Sequence, residues 1–140
     1  MPKNKQLRLV IDTNLWISFI ISNKLNLLDS ILLNNNTRIL FSIELIDELE
    51  ATISKPKLKK YFSEFGLQDM LTTFEPYIDF ISVKSKIKLC RDSKDDFLLS
   101  LASDGKATHL ITGDKDLLDI GFFGQIEILN ITDFLKKNKN

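Results

Sequence analysis

Along the chain, short dense apolar runs alternate with longer stretches of helical periodicity. Leu7-Arg8-Leu9-Val10-Ile11 is apolar and β-branched without alternation, the pattern of a strand buried on both faces. Residues 14–33 carry a helical pattern that breaks into two pieces near Ser22-Asn23, and Asn34-Asn35-Asn36 reads as a turn. A second strand covers residues 37–41, after which Ser42 is a good N-cap for a helix over residues 43–54. Lys55-Pro56 ends that helix, because the proline ring disfavours helical backbone before it. A short helix over residues 58–65, a break at Gly66 and a further helical stretch over residues 67–77 follow. Residues 79–83 form a third strand, Ser93 caps a helix over residues 94–104, and residues 108–112 form a fourth strand. Gly113-Asp114 then turns, residues 115–118 make one helical turn, and Gly121 and Gly124 mark a loop. Residues 126–129 are a fifth strand, residues 132–136 a terminal helix, and residues 137–140 a frayed tail.

Strands separated by helices predict an α/β fold with a parallel sheet, right-handed crossovers and helices on both faces. In such folds ligands sit beyond the carboxyl ends of the strands, where the strand order reverses. The polar residues that follow each strand are therefore the candidates for chemistry.

Composition narrows the class. The chain has 140 residues, 44% hydrophobic and 27% charged, which is ordinary for a globular domain and enough for one core. No run of about 18 apolar residues exists, and no isolated apolar segment follows the basic N-terminus, so neither a transmembrane helix nor a signal peptide is expected. The one cysteine, Cys90, excludes an intramolecular disulfide and a cysteine-based zinc site. The one histidine, His109, excludes a multi-histidine site and reads as a packed or edge residue in a strand. A cytoplasmic location is the expectation. Lys+Arg and Asp+Glu both number 19, and a net charge of zero taken alone argues against a nucleic-acid partner.

The acids change that picture. Asp12 follows the first strand directly, and Asp114 follows the fourth, in Thr112-Gly113-Asp114-Lys115-Asp116. Glu48 sits on the helix after the second strand, at the border of the stripe formed by Leu45, Ile46, Leu49 and Ile53, with Glu44 and Asp47 on the solvated side. Asp95 aligns with Leu98, Leu99 and Ala102, above a buried face, whereas Asp96 has the capping-box spacing from Ser93. We assign Asp95 to the site and Asp96 to the cap. The topology brings Asp12, Glu48, Asp95 and Asp114 toward one edge of the sheet. Two unit charges about 4 Å apart repel by about 4 kcal/mol at an effective dielectric of about 20, so such a group needs protons or a hard cation. Oxygen ligands without histidine or cysteine point to Mg²⁺ or Mn²⁺, and a carboxylate cage holding such an ion suits phosphodiester chemistry. Each acid taken alone is equally well a turn residue, an N-cap or a solvated helix residue.

Four segments in order carry a family resemblance. They are Val10-Ile11-Asp12-Thr13-Asn14, then Phe41-Ser42 with Asp47-Glu48-Leu49, then Asp95-Asp96-Phe97-Leu98-Leu99-Ser100-Leu101-Ala102, then the run from Leu110-Ile111-Thr112-Gly113-Asp114 to Lys115-Asp116-Leu117-Leu118. Together they resemble the PIN-domain nucleases, and most closely the toxin components of type II toxin–antitoxin modules. The resemblance covers nearly the whole chain and implies one nuclease domain over residues 1–140. It implies a three-layer fold with a five-stranded parallel sheet and a Mg²⁺- or Mn²⁺-dependent endoribonuclease. Asp12, Glu48, Asp95 and Asp114 would then be the catalytic and metal-binding quartet, with Asp96 and Asp116 as further metal candidates. Thr13 and Asn14 would shape the first loop, and Thr112 would position Asp114 or a water. The implied partners are RNA, a cognate antitoxin, and a second copy or higher oligomer. The mechanism expected is in-line attack of an activated water on phosphorus, leaving a 5′-phosphate and a 3′-hydroxyl.

The densest basic run, Ser54-Lys55-Pro56-Lys57-Leu58-Lys59-Lys60-Tyr61, is either an RNA contact strip through Lys57, Lys59 and Lys60, with Tyr61 stacking on a base, or a solvated helix face. Trp16, Phe19 and Ile20 fall at helical spacing and read as core; the apolar Ile17, Ile21, Leu27, Leu28, Ile31 and Leu32 either pack on the sheet or form a dimer face. The competing reading within the family is an RNA-binding or regulatory domain without catalysis. A haloacid-dehalogenase-type phosphotransferase needs a second aspartate where this chain has Asn14. A signalling receiver needs an aspartate after the third strand, where Val83-Lys84-Ser85 stands, and a dinucleotide fold needs glycines in the first turn, which Asp12-Thr13-Asn14 lacks.

Overall fold

A computed structural model of the chain describes residues 6–138, apart from residues 23, 30, 31, 33–35 and 63–65. The turn expected at residues 34–35, the end of the predicted helix over residues 58–65, and residues 139–140 of the expected tail lie outside the described residues.

The strands form where apolar side chains are buried on both faces. β1 (Arg8–Ile11) and β2 (Arg38–Phe41) each bury three successive residues, and Leu110 and Ile111 of β4 (His109–Ile111) are likewise fully covered. β3 (Ile78–Phe80), the two-residue β5 (Phe122–Phe123) and β6 (Ile126–Leu129) complete one sheet in the order β3-β2-β1-β4-β6-β5. β1, β2, β3, β4 and β6 pair in parallel, and β5 pairs antiparallel with β6. The sheet thus has six strands where the sequence pattern indicates five. The extra strand turns through Gly124, whose φ of 62° suits a two-residue hairpin, and its exposed Phe122 leaves no burial signal in the sequence.

The helices are α1 (Thr13–Ile21), α2 (Ile43–Ile53), α3 (Pro56–Lys59), α4 (Gly66–Phe74), α5 (Ser93–Asp104), α6 (Lys115–Ile120) and α7 (Ile131–Lys137), with short 3₁₀ turns at Leu25–Leu28 and Glu75–Tyr77. Ser42 caps α2, accepting from the Leu45 N–H at 3.1 Å. Gly66 is the first residue of α4, and residues 63–65 before it lie outside the described residues. The cap of α5 is Asp92, one residue ahead of the expected Ser93, and its carboxylate accepts from the Lys94 N–H. β1→β2→β3 runs one way across the sheet, and β3→β4→β6 runs the other. Right-handed crossovers therefore set α1 to α4 and α5 to α6 on opposite faces.

The core is one cluster running through both faces. Trp16 is fully buried, stacked on Phe41 at 5.6 Å and meeting Phe74 at 5.6 Å and Phe19 at 6.5 Å edge-on. Ile17, Leu28 and Leu32 are buried, Ile21 and Leu27 are exposed, and Ile31 lies outside the described residues.

β3 is shorter than the run 79–83 suggests. The Ile81 N–H still bonds to the Phe41 carbonyl at 2.8 Å, but from Lys84 onward backbone N–H groups go to side chains of α5 instead of a neighbouring strand. The strand order reverses between β1 and β4, so the crevice beyond Ile11 and Ile111 is where a ligand is expected.

Candidate metal centre

Register places the first acid. Ile11 pairs with Ile111, and the Asp12 N–H extends the ladder to the Ile111 carbonyl at 3.0 Å, which brings Asp12 beside Thr112. Asp12 is also the N-cap of α1: one carboxylate oxygen accepts from the Asn14 N–H at 3.0 Å. The other accepts from the Thr112 hydroxyl at 2.7 Å. Thr112 is itself buried, and its Oγ1 accepts the Asp114 N–H at 3.0 Å, so one hydroxyl fixes the orientation of both acids. Asp114 in turn caps α6, accepting from the Asp116 N–H at 2.9 Å.

Asp95 approaches from the first turn of α5 and is only 6% exposed. Burial pushes its carboxyl up to about 7, reinforced by hydrogen-bonding and Coulombic contact with Asp114 and by the charges of Asp92 and Asp12. Carboxylate oxygens of Asp95, Asp114 and Asp116 all lie within 4.8 Å of one another. Asp116 additionally accepts from the Arg91 guanidinium at 2.8 Å, a side chain that is 88% exposed. Asp12, Asn14, Leu15, Ser18, Gly113 and Asp114 line an open cavity of about 400 Å³ over this edge of the sheet. Thr13 is buried beneath it, with its hydroxyl unpartnered among the described residues.

The remaining candidates are not among the three mutually close acids. Glu48 is half-buried on α2, at the expected border between the buried Leu45 and Leu49 and the exposed Asp47, and is not among the three mutually close carboxylates. Asp96 points the other way, accepting from the Leu89 and Cys90 N–H groups at 2.9 and 2.7 Å, so it ties down a loop and caps nothing. These two amides hold its carboxyl below the usual range. Lys57, Lys59 and Lys60 are exposed in and just after α3, with the Lys60 ammonium 5.2 Å from the Tyr61 ring centroid. His109 packs edge-on to Phe134 at 5.2 Å, and burial lowers its pKa. The residues that sequence reasoning passed over are Asp92, whose charge bears on Asp95, and Arg91. A cap shifted by one residue would have exposed the first, since Asp92-Ser93 offers two capping side chains in succession.

Chemically, the donor set is all carboxylate oxygen, partly buried and mutually repelling, the set that a small hard cation satisfies. Histidine and cysteine take no part in it.

Comparison with known proteins agrees with this geometry. A family model for the PIN domain matches residues 8–116. The uncharacterized protein MJ1680 of Methanocaldococcus jannaschii is 31% identical over 122 residues, covering 82% of this chain and 76% of its own. The crystal structure of VapBC2 from Rickettsia felis, bound to a DNA fragment from their promoter, matches with a TM-score of 0.61 at 18% identity, covering 89% of this chain and 98% of that one. That likeness shows the fold. The chain belongs to the PIN domain family.

Proposed function

We propose that this chain is a Mg²⁺- or Mn²⁺-dependent endoribonuclease of the cytoplasm, the toxin of a toxin–antitoxin pair. The observation that carries the reading is Asp95, a buried carboxyl pressed against Asp114 and Asp116 at the strand-order reversal of a PIN fold. A group of acids at that spacing raises the free energy of the empty protein, and it is explained by a cation that relieves the repulsion. No membrane-crossing helix is found among the described residues.

In this reading Asp12, Glu48, Asp95 and Asp114 would hold the ion, with Asp116 as a further acid, while Asp96, turned to the Leu89 and Cys90 amides, would take no part. A bound divalent ion supplies Lewis-acid polarisation of the phosphoryl group and activation of water. The chain supplies the rest. Thr112 keeps Asp12 and Asp114 in fixed orientation. Asp95 carries a proton in part near neutral pH, one that a bound cation would displace. The cavity beside Asn14 and Gly113 admits the scissile phosphate. Lys57, Lys59 and Lys60 extend contact along the RNA. A cognate antitoxin as partner is supported by the fold likeness to VapBC2, and a second copy of the chain completes the assembly we propose.

The test is cleavage of RNA with Mg²⁺ by wild type and Asp12→Asn, with Mn²⁺ binding followed by calorimetry on both. Wild type should cleave, and lose cleavage in EDTA; Asp12→Asn should lose both cleavage and most of its Mn²⁺ affinity. Equal activity in the two proteins, or cleavage that survives EDTA, would sink the assignment. RNA binding without any cleavage by wild type would favour the non-catalytic reading. Growth arrest on induction, absent with Asp12→Asn, tests the toxin role.

A further inference from the structure

Between β3 and α5 the chain runs as an irregular extended segment, and its backbone is clamped to the helix. The Lys84 and Ser85 N–H groups donate to Asp104 at 2.6 and 2.9 Å, and the Ser85 hydroxyl donates to it as well. The Ile87 N–H donates to the Ser100 hydroxyl at 3.1 Å, and the Leu89 and Cys90 N–H groups donate to Asp96 at 2.9 and 2.7 Å. Asp96, Ser100 and Asp104 are four residues apart, one stripe along α5, so the segment lies antiparallel to the helix over about 12 Å. Val83 and Ile87 are half-buried against the core.

The clamp leaves a row of cations outside. Lys84, Lys86 and Lys88 are all exposed, and among the described residues none has an ion-pair partner within 4.0 Å. The three lysines stand at alternate positions of the segment. Asp104 and Asp96 keep their negative charge while accepting these amides and act on Lys84 and Lys88 through space, so the row carries a small net excess of positive charge. The row ends at Arg91, whose guanidinium already touches Asp116 of the acid group. Beside it lies a groove of about 500 Å³ that Lys86, Lys88, Cys90 and Phe97 help to line.

We propose that the segment from Lys84 to Arg91 is a binding rail for the phosphodiester backbone of a single RNA strand, leading that strand to the acid centre. The proposal rests on the endoribonuclease reading for the identity of the polyanion. Its argument is charge complementarity. A phosphate approaching Asp95, Asp114 and Asp116 is repelled, and a neutral chain offers no long-range attraction to offset this. Cations fixed beside the acids on a rigid backbone supply the attraction locally. Single-strand binding combines such a positive track with faces on which bases rest, and the groove by Phe97 provides one.

The test measures binding in EDTA, so that it does not depend on the metal or on cleavage. A fluorescein-labelled oligouridylate of about 12 nucleotides is titrated with the full chain at several salt concentrations. Each phosphate neutralised on a single strand adds about 0.7 to the salt slope, so replacing Lys84, Lys86 and Lys88 by Gln should reduce that slope by about 2. The Kd at about 50 mM salt should rise about tenfold or more. The Lys→Arg triple variant should keep both values. An unchanged slope and Kd in the Gln variant would overturn the rail, as would a wild type that does not bind the oligonucleotide. Tighter binding of an oligoglutamate peptide than of RNA at the same salt would overturn it in favour of an acidic protein partner. If wild type binds RNA through these lysines but cleaves nothing with Mg²⁺, the rail stands and the catalytic reading falls. Cleavage with no effect of the Gln variant on binding gives the reverse.

Discussion

Replacing Asp95 by asparagine removes one negative charge from the acid group at nearly constant volume. Burial and the neighbouring acids raise its carboxyl from the ordinary 3.8 to about 7. At about 1.4 kcal/mol per pH unit of displacement, ionising Asp95 in the folded chain costs about 4 kcal/mol more than in the unfolded chain. The side chain is 6% exposed, so solvent screening takes little from this. The sign follows from proton binding: between the two values the folded chain holds the proton and the unfolded chain does not. The contribution is therefore greatest below about pH 4, falls as pH rises, and levels off above about pH 7. Asparagine has no such dependence. In EDTA, urea unfolding from pH 5 to pH 8 should show the Asp95→Asn variant gaining about 2–3 kcal/mol on wild type. Adding Mn²⁺ at pH 8 should reverse the order, because ligand binding stabilises wild type by mass action and the variant much less. Parallel pH curves in EDTA, or a wild type that gains on the variant toward pH 8, would refute the account of Asp95.

Three further outcomes test the packing of the fold and the orientation of the acids. A Cβ on Gly105 would come within 2.7 Å of Leu40 Cδ1 and 3.1 Å of Ile81 Cγ1, so Gly105→Ala should cost about 1–3 kcal/mol by overpacking; a wild-type urea midpoint would contradict this. Asp79 receives the guanidinium groups of Arg38 at 2.7 Å and Arg8 at 2.9 Å, and the Arg38 hydrogen bond, against an opposing burial effect, holds its carboxyl below the ordinary 3.8. With these side chains a quarter to a third exposed, Asp79→Asn should cost about 1 kcal/mol at pH 7. That difference is present above pH 3.8 and should close as pH falls through the folded value, so a constant difference down to acid unfolding counts against it. Thr112→Val takes a hydrogen bond from Asp12 and leaves the Asp114 N–H without its acceptor, so it should cost about 1–2 kcal/mol and weaken Mn²⁺ binding in calorimetry; unaltered Mn²⁺ affinity would show that Thr112 does not orient the acids.

What could be read from the sequence follows from how strongly each element depends on local pattern. β1, β2 and β4 are buried on both faces, so their apolar runs are unbroken and their ends fall close to Asp12, Ser42 and Thr112. Once the strand order is inferred, Asp12 and Asp114 must fall on one edge. Asp95 follows from helical spacing, because residues 98, 99 and 102 are buried beneath it. β5 escapes because two residues with an exposed phenylalanine carry no periodicity. The α5 cap escapes because Asp92 and Ser93 are both good caps. The choice between them turns on where Asp96 goes, and Asp96 is taken by Leu89 and Cys90. The same dependence on tertiary contact hides the segment after β3. Val83, Ser85 and Ile87 alternate there with lysines, and the segment's amides pair with side chains of a helix.

The balance of 19 basic and 19 acidic residues is the feature whose meaning changes most once positions are known. A neutral total argues against nucleic acid only if the charges are spread evenly. Here Asp95, Asp114 and Asp116 are gathered at one strand edge with Asp12 beside them, Asp79 is paired with two arginines, and Asp96 and Asp104 accept backbone amides along α5 while keeping their charge. Other acids, among them Glu44, Asp47, Glu50, Asp69, Glu75, Asp119 and Asp133, are exposed, as are Lys84, Lys86, Lys88, Lys57, Lys59 and Lys60, so the surface is mixed in sign and uneven from place to place. Attraction for a polyanion is then short-ranged and confined to surfaces near the basic rows. At about 8 Å of Debye screening in physiological salt, charges spaced across the whole molecule would cancel, but adjacent rows would not. A polyanion bound in this way should have a strongly salt-dependent affinity and little attraction at a distance, which separates this chain from a protein that coats nucleic acid through a large net positive charge.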